Sequence, residues 1–354
     1  MSRQLGRALT VLVVLLLLLF GSMGACYSWL KHGYFAPGRS ATAVRIPVEQ
    51  GATVRGTLAR LGTQGVVSNP RAVELYLRLA GLRPRVQVGT YEIPPHASPA
   101  DIVTLFDEGR VLLAQLTIVE GTTFGDLRRA LERDASITHT LHDKSDAEVM
   151  TAIGHPGESA EGRFFPDTYR FAERTSDVEL LSVAYNAMQH ALDAAWQARS
   201  ADLPYEGPYQ ALTLASIVEK ETGLPAERPR IAGVFVSRLR KGMRLQSDPT
   251  VIYGLGARYD GDIRTRDLST DTPYNTYTRG GLPPTPIALP GRESLLAAVR
   301  PLESGELFFV ATGSGDGGHH FSRTLEEHNA AVRSYLERLR TLPQTPAHPT
   351  AGHP

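Results

Sequence analysis

Residues 8–30 read ALTVLVVLLLLLFGSMGACYSWL and carry no charged side chain, although Arg7 and Lys31 stand directly on either side. As an α-helix this stretch would be ~34 Å long, at ~1.5 Å per residue, which is enough to cross a hydrocarbon core of about 30 Å. A helix on the surface of a soluble domain would show a polar face, and this stretch has none. The sequence therefore predicts a transmembrane helix over residues 8–30.

Two other export signals fit the same stretch. A cleaved signal peptide is favoured by the short apolar centre and by the small residues Gly21 and Ser22 behind it, and a lipoprotein signal would end at Cys26 but lacks the usual Leu. Arg3 and Arg7 favour a cytoplasmic leader over residues 1–7. All three interpretations export the chain, so we expect a single-pass protein of the cell inner membrane whose remaining residues lie in the periplasm.

Composition removes several classes of function. Formal net charge is zero, and no run of basic residues is interleaved with aromatics, so no nucleic-acid groove or polybasic membrane patch is expected. Cys26 is the only cysteine, which excludes disulfides and Cys-based zinc sites. The exported part must rest on a hydrophobic core.

The pattern of helices and strands predicts an α+β fold in two domains. Residues 31–44 lack periodicity and are expected to form a linker, residues 45–112 a small α+β module, residues 113–340 a larger α+β domain and residues 341–354 a disordered tail. Capping boxes at Thr123 and Ser145 predict helix starts. The remaining predicted elements are strands at 45–48, 86–93 and 307–311, with 307–311 buried; helices at 53–61, 69–80 (with Leu75, Tyr76 and Leu79 on one face), 98–108, 177–197, 211–222, 230–241 and from 324; and an irregular segment at 273–291.

No phosphate loop, nucleophile elbow or zinc-protease motif is present. The remaining candidate is an acidic helix end, where helical spacing places Glu219 and Glu221 on the two edges of an apolar face. A carboxyl group at such an edge loses solvation, which raises its pKa and suits it to proton donation near neutral pH. Spacing alone equally allows two solvated carboxylates, although Glu219 sits over the small residues Ala215 and Ser216, which leave room for a ligand.

The string ASIVEKET at 215–222, followed by RLQSDPTVIYG at 244–254, resembles the endolytic murein transglycosylases, the MltG or YceG-like family. The resemblance continues in YNTY at 274–277, GLPP at 281–284 and GGH at 317–319, and it is preceded by VEG at 119–121 and FPDTY at 165–169. Gly89-Thr90-Tyr91 resembles the LysM-like module of that family, which assigns this module to residues 45–112 and the catalytic domain to residues 113–340.

The resemblance implies an enzyme that cleaves the MurNAc-β-1,4-GlcNAc bond of nascent glycan strands, leaves 1,6-anhydro-MurNAc ends and so terminates strand elongation. The family's catalytic glutamate falls on Glu219. One carboxyl group suffices because the 6-hydroxyl of the sugar replaces water as nucleophile. No cofactor or metal is implied, and the implied partners are peptidoglycan strands and cell-wall synthases of the penicillin-binding class.

Other positions of the matching motifs are candidates for binding glycan. Amide groups would bond sugar hydroxyls and acetamides, and tyrosine rings would stack on sugars, although packed aromatics and loop-fixing hydrogen bonds explain the same residue types. The substrate-binding candidates are Gln246, Tyr253, Tyr274, Asn275 and Tyr277.

Four further features carry less weight. Asp248, between Ser247 and Pro249, is expected to start a helix rather than to act in catalysis. Glu161 and Asp167 are weaker site candidates, and the histidines 319, 320 and 328 lack a carboxylate at metal-ligand spacing.

Two alternative functions remain open. A pyridoxal-phosphate lyase would need a Schiff-base lysine, and the folded part offers only Lys144, Lys220 and Lys241 without a phosphate cradle. A peptidoglycan-binding scaffold would make the LysM-like module the functional part. Only the transglycosylase would generate anhydro ends.

Overall fold

The computed structural model describes residues 2–49 and 51–341, so most of the predicted tail lies outside the described residues. Helices are combined with two-stranded sheets, which confirms the α+β class. The described chain divides into two compact units. The first holds residues 2–49, 51–115, 136–138 and 170–175, and the second holds residues 116–135, 139–169 and 176–341.

A long N-terminal helix, α1, runs from Ser2 to Phe35 and contains a stretch, Leu9–Phe35, apolar enough to cross a membrane. It continues past the predicted end at residue 30, so the prediction that the linker begins at residue 31 is wrong for residues 31–35. The last turns are held because Leu30 and Tyr34 are buried in the core of the first unit. A non-helical connection begins only after Phe35.

The rest of the first unit is a small module around one antiparallel sheet. Strand β1 pairs with β2 so that Val44 lies opposite Ile93 and Val48 opposite Gly89, and helices cover the sheet. Side chains of Thr53, Asn69 and Ser98 cap the three helices, which begin within a residue or two of their predicted starts. Its elements are β1 (Val44–Val48), α2 (Val54–Thr63), α3 (Pro70–Leu79), β2 (Gly89–Ile93) and α4 (Pro99–Asp107).

The buried face of α3 differs from the predicted one. The helix buries Val73, Tyr76 and Leu77, whereas Leu75 and Leu79 are 45% and 58% exposed. Of the three residues predicted to share one face, Leu75, Tyr76 and Leu79, only Tyr76 is therefore buried, because the helix turns its Val73–Leu77 side to α1 and the module core.

Most of the remaining elements lie in the second unit, whereas β3 and β4 each lie partly in the first. Sheets β3–β4 and β5–β6 have two strands each, and the capping boxes at Thr123, Ser145 and Ser176 are present. These elements are β3 (Leu113–Thr117), α5 (Phe124–Arg133), α6 (Asp146–Ala152), β4 (Thr168–Ala172), α7 (Asp177–Gln197), α8 (Pro208–Glu221), α9 (Arg228–Arg240), α10 (Asp248–Leu255), α11 (Thr265–Ser269), α12 (Arg292–Val299), β5 (Phe308–Ala311), β6 (His319–Ser322) and α13 (Leu325–Thr341).

Helix α8 is the centre of the second core. Every residue from Ala211 to Val218 is buried, and the helix packs against α7, α9 and α12. The predicted single apolar face is therefore too narrow, because α8 is enclosed on all sides. Strand β5 is only half-buried rather than buried, and α12, β4 and β6 have no counterpart among the predicted elements.

Candidate active site

Glu219 lies in the last turn of α8, and its side chain is only 5% exposed. One carboxylate oxygen accepts a hydrogen bond from Arg228 Nη2 at 3.0 Å, and the other accepts one from the backbone N–H of Gly291 at 2.9 Å. Arg228, at the start of α9, is 8% exposed. Two donors from different parts of the chain thus fix both carboxylate oxygens of Glu219.

The irregular segment 273–291 brings Gly291 to this position. Its Ile287 N–H donates to the Ser216 hydroxyl, three residues before Glu219, at 2.9 Å. Its Leu289 exchanges backbone hydrogen bonds with Gly121 and Thr122 at 2.9 and 2.7 Å. The segment is therefore an ordered wall tied both to α8 and to the turn that carries Glu120.

Glu120 is a second carboxylate at this site. Its Oε2 lies 3.8 Å from Arg228 Nη2, so one guanidinium serves both acids, and its side chain is 48% exposed. Its carboxyl group lies directly against the Cα of Gly291, where a Cβ atom would collide with it. Burial, and then repulsion from Glu219, raises the pKa of Glu120 against the opposing effect of Arg228.

A third carboxyl group, Glu161, lies among the aromatic candidates. It accepts hydrogen bonds from the Phe124 N–H at 2.9 Å and from the Tyr253 hydroxyl at 3.0 Å. Burial outweighs these bonds and raises the pKa of Glu161 to about 7. The Tyr253 ring meets Tyr274 edge to face at 4.8 Å, and the Tyr274 hydroxyl shares a hydrogen bond with Thr285.

Glu221 points to a different set of partners from Glu219. Its carboxyl group accepts a hydrogen bond from the Ser247 hydroxyl at 2.5 Å, at the start of α10. Burial raises the pKa of Glu221 to about 7, against the effect of that bond. Beside it, Asp248 opens α10 as predicted and accepts a hydrogen bond from the Tyr277 hydroxyl at 2.6 Å. These residues hold α8, α10 and the wall segment together.

The two amide candidates differ in surroundings. Asn275 is buried, and its side-chain NH2 donates to the carbonyls of Asp267, Leu268 and Thr270. Its side-chain oxygen accepts from the N–H of Tyr277, so all the hydrogen bonds of this side chain are made within the loop. Gln246 is exposed and has a φ of 52°, a conformation that is unfavourable for a residue with a side chain. Such strain is often retained at functional positions.

The second unit thus contains Glu219 and all five substrate-binding candidates, with Tyr253 and Tyr274 in one contact cluster and Tyr277 with Asp248 in another. Asp167 is exposed at a turn and bonds the N–H of Thr168, and His319 bonds Glu227 through Nδ1 at 2.7 Å. Sequence reasoning missed Arg228, Glu120 and Gly291. Glu120 lies within a matching motif, whereas no local signal marks the other two.

The two carboxyl groups with a pKa of about 7 predict a pH-dependent stability. In the unfolded chain such groups titrate near 4.5, so between about pH 4.5 and 7 the folded state binds more protons and the free energy of unfolding falls as pH rises. We expect Glu161→Gln and Glu221→Gln each to remove part of this fall, of the order of 1–3 kcal/mol, in urea titrations at several pH values. A slope that is unchanged in both variants would contradict the burial argument.

A model of the YceG-like family matches residues 46–334 of this chain. An endolytic murein transglycosylase of Bacillus subtilis is 30% identical over 84% of this chain and 86% of its own length. One of Streptococcus pneumoniae is 26% identical over 83% of this chain, which spans only 58% of that relative. The crystal structure of a YceG-like protein of Listeria monocytogenes covers 82% of this chain and 99% of its own, with a TM-score of 0.50 at 28% identity.

Proposed function

This chain belongs to the YceG-like family, and from that premise we propose that it is a peptidoglycan lytic transglycosylase that cuts within glycan strands. The bond broken would be the β-1,4 bond between MurNAc and GlcNAc, and the new end a 1,6-anhydro-MurNAc. The observation that supports this proposal best is the buried carboxylate of Glu219, which lies in the matching motif at 215–222. Arg228 and the Gly291 N–H hold this carboxylate through hydrogen bonds.

In the proposed reaction, protonated Glu219 donates its proton to the glycosidic oxygen as the bond from that oxygen to C1 of MurNAc breaks. The 6-hydroxyl oxygen of the same MurNAc then bonds to C1, and its proton passes to the Glu219 carboxylate. No water is consumed, and the acid is restored. The intramolecular nucleophile removes the need for the second catalytic carboxylate of a hydrolase.

Arg228 and Gly291 support the second half of this cycle. Once Glu219 has given up its proton, two charge-assisted hydrogen bonds stabilise the carboxylate that must receive the next proton. Glu120 shares the same guanidinium at 3.8 Å, so the carboxylate that must receive the proton lies beside both a cation and a second acid.

The identity of the products tests this proposal. Glycan strands are digested in water labelled with heavy oxygen, and the products are read by mass spectrometry. We expect ends that are one molecule of water lighter than hydrolysed reducing ends and that carry no label. Labelled reducing ends would show a hydrolase on the same fold. Unchanged strands would favour the scaffold alternative.

Gln246 offers a sharper test of substrate binding. Because glycine tolerates a φ of 52°, Gln246→Gly should keep or slightly raise the free energy of unfolding while it removes the side chain. If this amide bonds the glycan, we expect kcat/KM to fall about 10-fold or more, as for loss of one substrate hydrogen bond. Asp202→Gly is the matched control, since Asp202 is exposed and has a φ of 58°. Equal activity of both variants would remove Gln246 from the binding site.

We also propose that α1 anchors the enzyme in the cell inner membrane with residues 45–340 in the periplasm, where nascent strands and the synthases that make them are found. The 8–30 stretch is long enough to span, and the arginines before it favour a cytoplasmic N-terminus. A reporter enzyme that functions only in the periplasm should be active when it is fused after Arg340, and one that functions only in the cytoplasm should be inactive at the same position. Activity of a cytoplasmic reporter would reverse the orientation.

A further inference from the structure

The first unit carries an apolar surface that its own core leaves uncovered. Leu75 and Leu79 on α3 are 45% and 58% exposed, and Leu82, just behind the helix, is 46% exposed. Leu75 and Leu79 are one helical turn apart and so share a face of α3, and Leu82 follows three residues later, which is more than the isolated apolar exposure usual on a soluble surface. We call Leu75, Leu79 and Leu82 the α3 leucine patch.

The position of α3 along α1 is fixed by aromatic contacts. Tyr76, at the middle of α3, packs against Tyr34 with ring centroids 4.5 Å apart and against Tyr27 at 6.0 Å. Those two tyrosines lie on either side of Lys31, the first charged residue after the apolar stretch. Tyr76 therefore lies at the level where that stretch ends.

This level corresponds to one surface of a bilayer. Exposed aromatics flank it on α1, with Tyr27 at 42%, Trp29 at 61% and Phe35 at 56% exposure. Tyr and Trp are enriched where hydrocarbon meets headgroups, and Lys31 would reach the headgroups themselves. Because Leu75 and Leu79 are close neighbours of Tyr76 in α3, they lie within a few Å of the same level.

Charge around the patch suits a surface of anionic phospholipids, although the basic residues form no continuous run in the sequence. Residues 70–85 contain four arginines, at 71, 78, 83 and 85, and a single acid, Glu74. All four arginines are exposed, and Glu74 is shared between Arg55 at 3.3 Å and Arg78 at 3.7 Å. Apolar side chains flanked by exposed arginines are typical of elements that lie in the interfacial plane of an anionic membrane.

We propose that residues 70–85 are a membrane-contact element, which inserts the α3 leucine patch at the headgroup boundary of the leaflet where α1 emerges and binds anionic phospholipid phosphates through its arginines. This inference rests on the proposed anchoring by α1. Because Leu30 and Tyr34 are part of the core of the same unit, the patch and the end of the span cannot separate without unfolding that core. The first unit is then seated on the bilayer rather than tethered above it.

Fluorescence quenching on the full chain tests this inference, since Cys26 is the only cysteine and is exposed. One sample carries an environment-sensitive dye on Cys26, and the other carries it on Cys26→Ser/Leu79→Cys. Both are placed in vesicles containing anionic phospholipid, with a nitroxide quencher at the top of the acyl chain or with iodide in solution. We expect the lipid quencher to lower the emission of both dyes by about twofold or more, and iodide to affect neither.

Each other result overturns a defined part of the proposal. Lipid quenching at Cys26 with iodide quenching at position 79 would leave the anchor intact and reject the membrane-contact element. Protection of position 79 from both quenchers would indicate a protein cover, such as a second copy of this chain. Absence of lipid quenching at Cys26 would reject the anchor and, with it, the element. Finally, Arg71→Gln/Arg83→Gln/Arg85→Gln in the Leu79→Cys background should reduce lipid quenching, and quenching equal to that of the parent Leu79→Cys variant would reject phosphate binding through the arginines.

Discussion

Glu219→Gln should abolish the formation of anhydro ends, with a loss of turnover of about 10³-fold or more, because an amide keeps the shape of the side chain but can neither deliver nor retrieve the proton. Folding should suffer little. Gln can still accept from Arg228, although its amide group meets the Gly291 N–H as a second donor, which costs about 1–2 kcal/mol. Muropeptide analysis by mass spectrometry and a urea titration measure the two effects separately.

Glu221→Gln is the matched control two residues further along the same helix. Its carboxyl group is buried against Ser247 and takes no part in the site around Glu219, so the variant should cut strands at near-normal rates near pH 7. Normal turnover of Glu219→Gln with an inactive Glu221→Gln would move the acid to Glu221 and keep the reaction class. Normal turnover of both variants would rule out a mechanism with one glutamate.

Arg228→Met should destabilise the protein by about 3–5 kcal/mol, because it leaves the carboxylate of Glu219 buried without its cation. Met matches the length and apolar stem of Arg, so the loss reports the missing charge rather than a cavity. The deficit should shrink as pH falls, since protonation removes the unpaired charge. Urea titrations at two or three pH values measure it.

The double variant Arg228→Met/Glu219→Gln completes a mutant cycle. Removing both charges should cost less than the sum of the two single losses, with a coupling of about 2–3 kcal/mol. Arg264→Met is the control for a surface pair, because Arg264 and Asp260 are both about half exposed and solvent screens their attraction, so the loss of stability should be small. A loss for Arg228→Met no larger than for Arg264→Met would contradict the burial of the Glu219 pair.

The sequence by itself determined the elements whose causes are local. The apolar stretch at 8–30 specifies a helix of spanning length, and side-chain caps at Thr123 and Ser145 begin helices where their spacing predicts. The bounds of α7 match the prediction residue for residue. Glu219 was identified as the candidate acid from a matching motif, because helical periodicity alone could not distinguish it from Glu221.

Only the tertiary structure decided which faces are buried and which groups meet. Helix α8 is enclosed on all sides, and α3 exposes Leu75 and Leu79, because burial depends on the elements that pack against each helix. The donors to Glu219 come from residues nine and 72 positions away, and the segment that carries Gly291 has no regular structure. Its path is set by hydrogen bonds to Ser216, Gly121 and Thr122, and no local pattern encodes contacts of that separation. Glu219 could therefore be found in the sequence as a candidate acid, whereas the arginine, the backbone N–H and the second carboxylate around it required the folded chain.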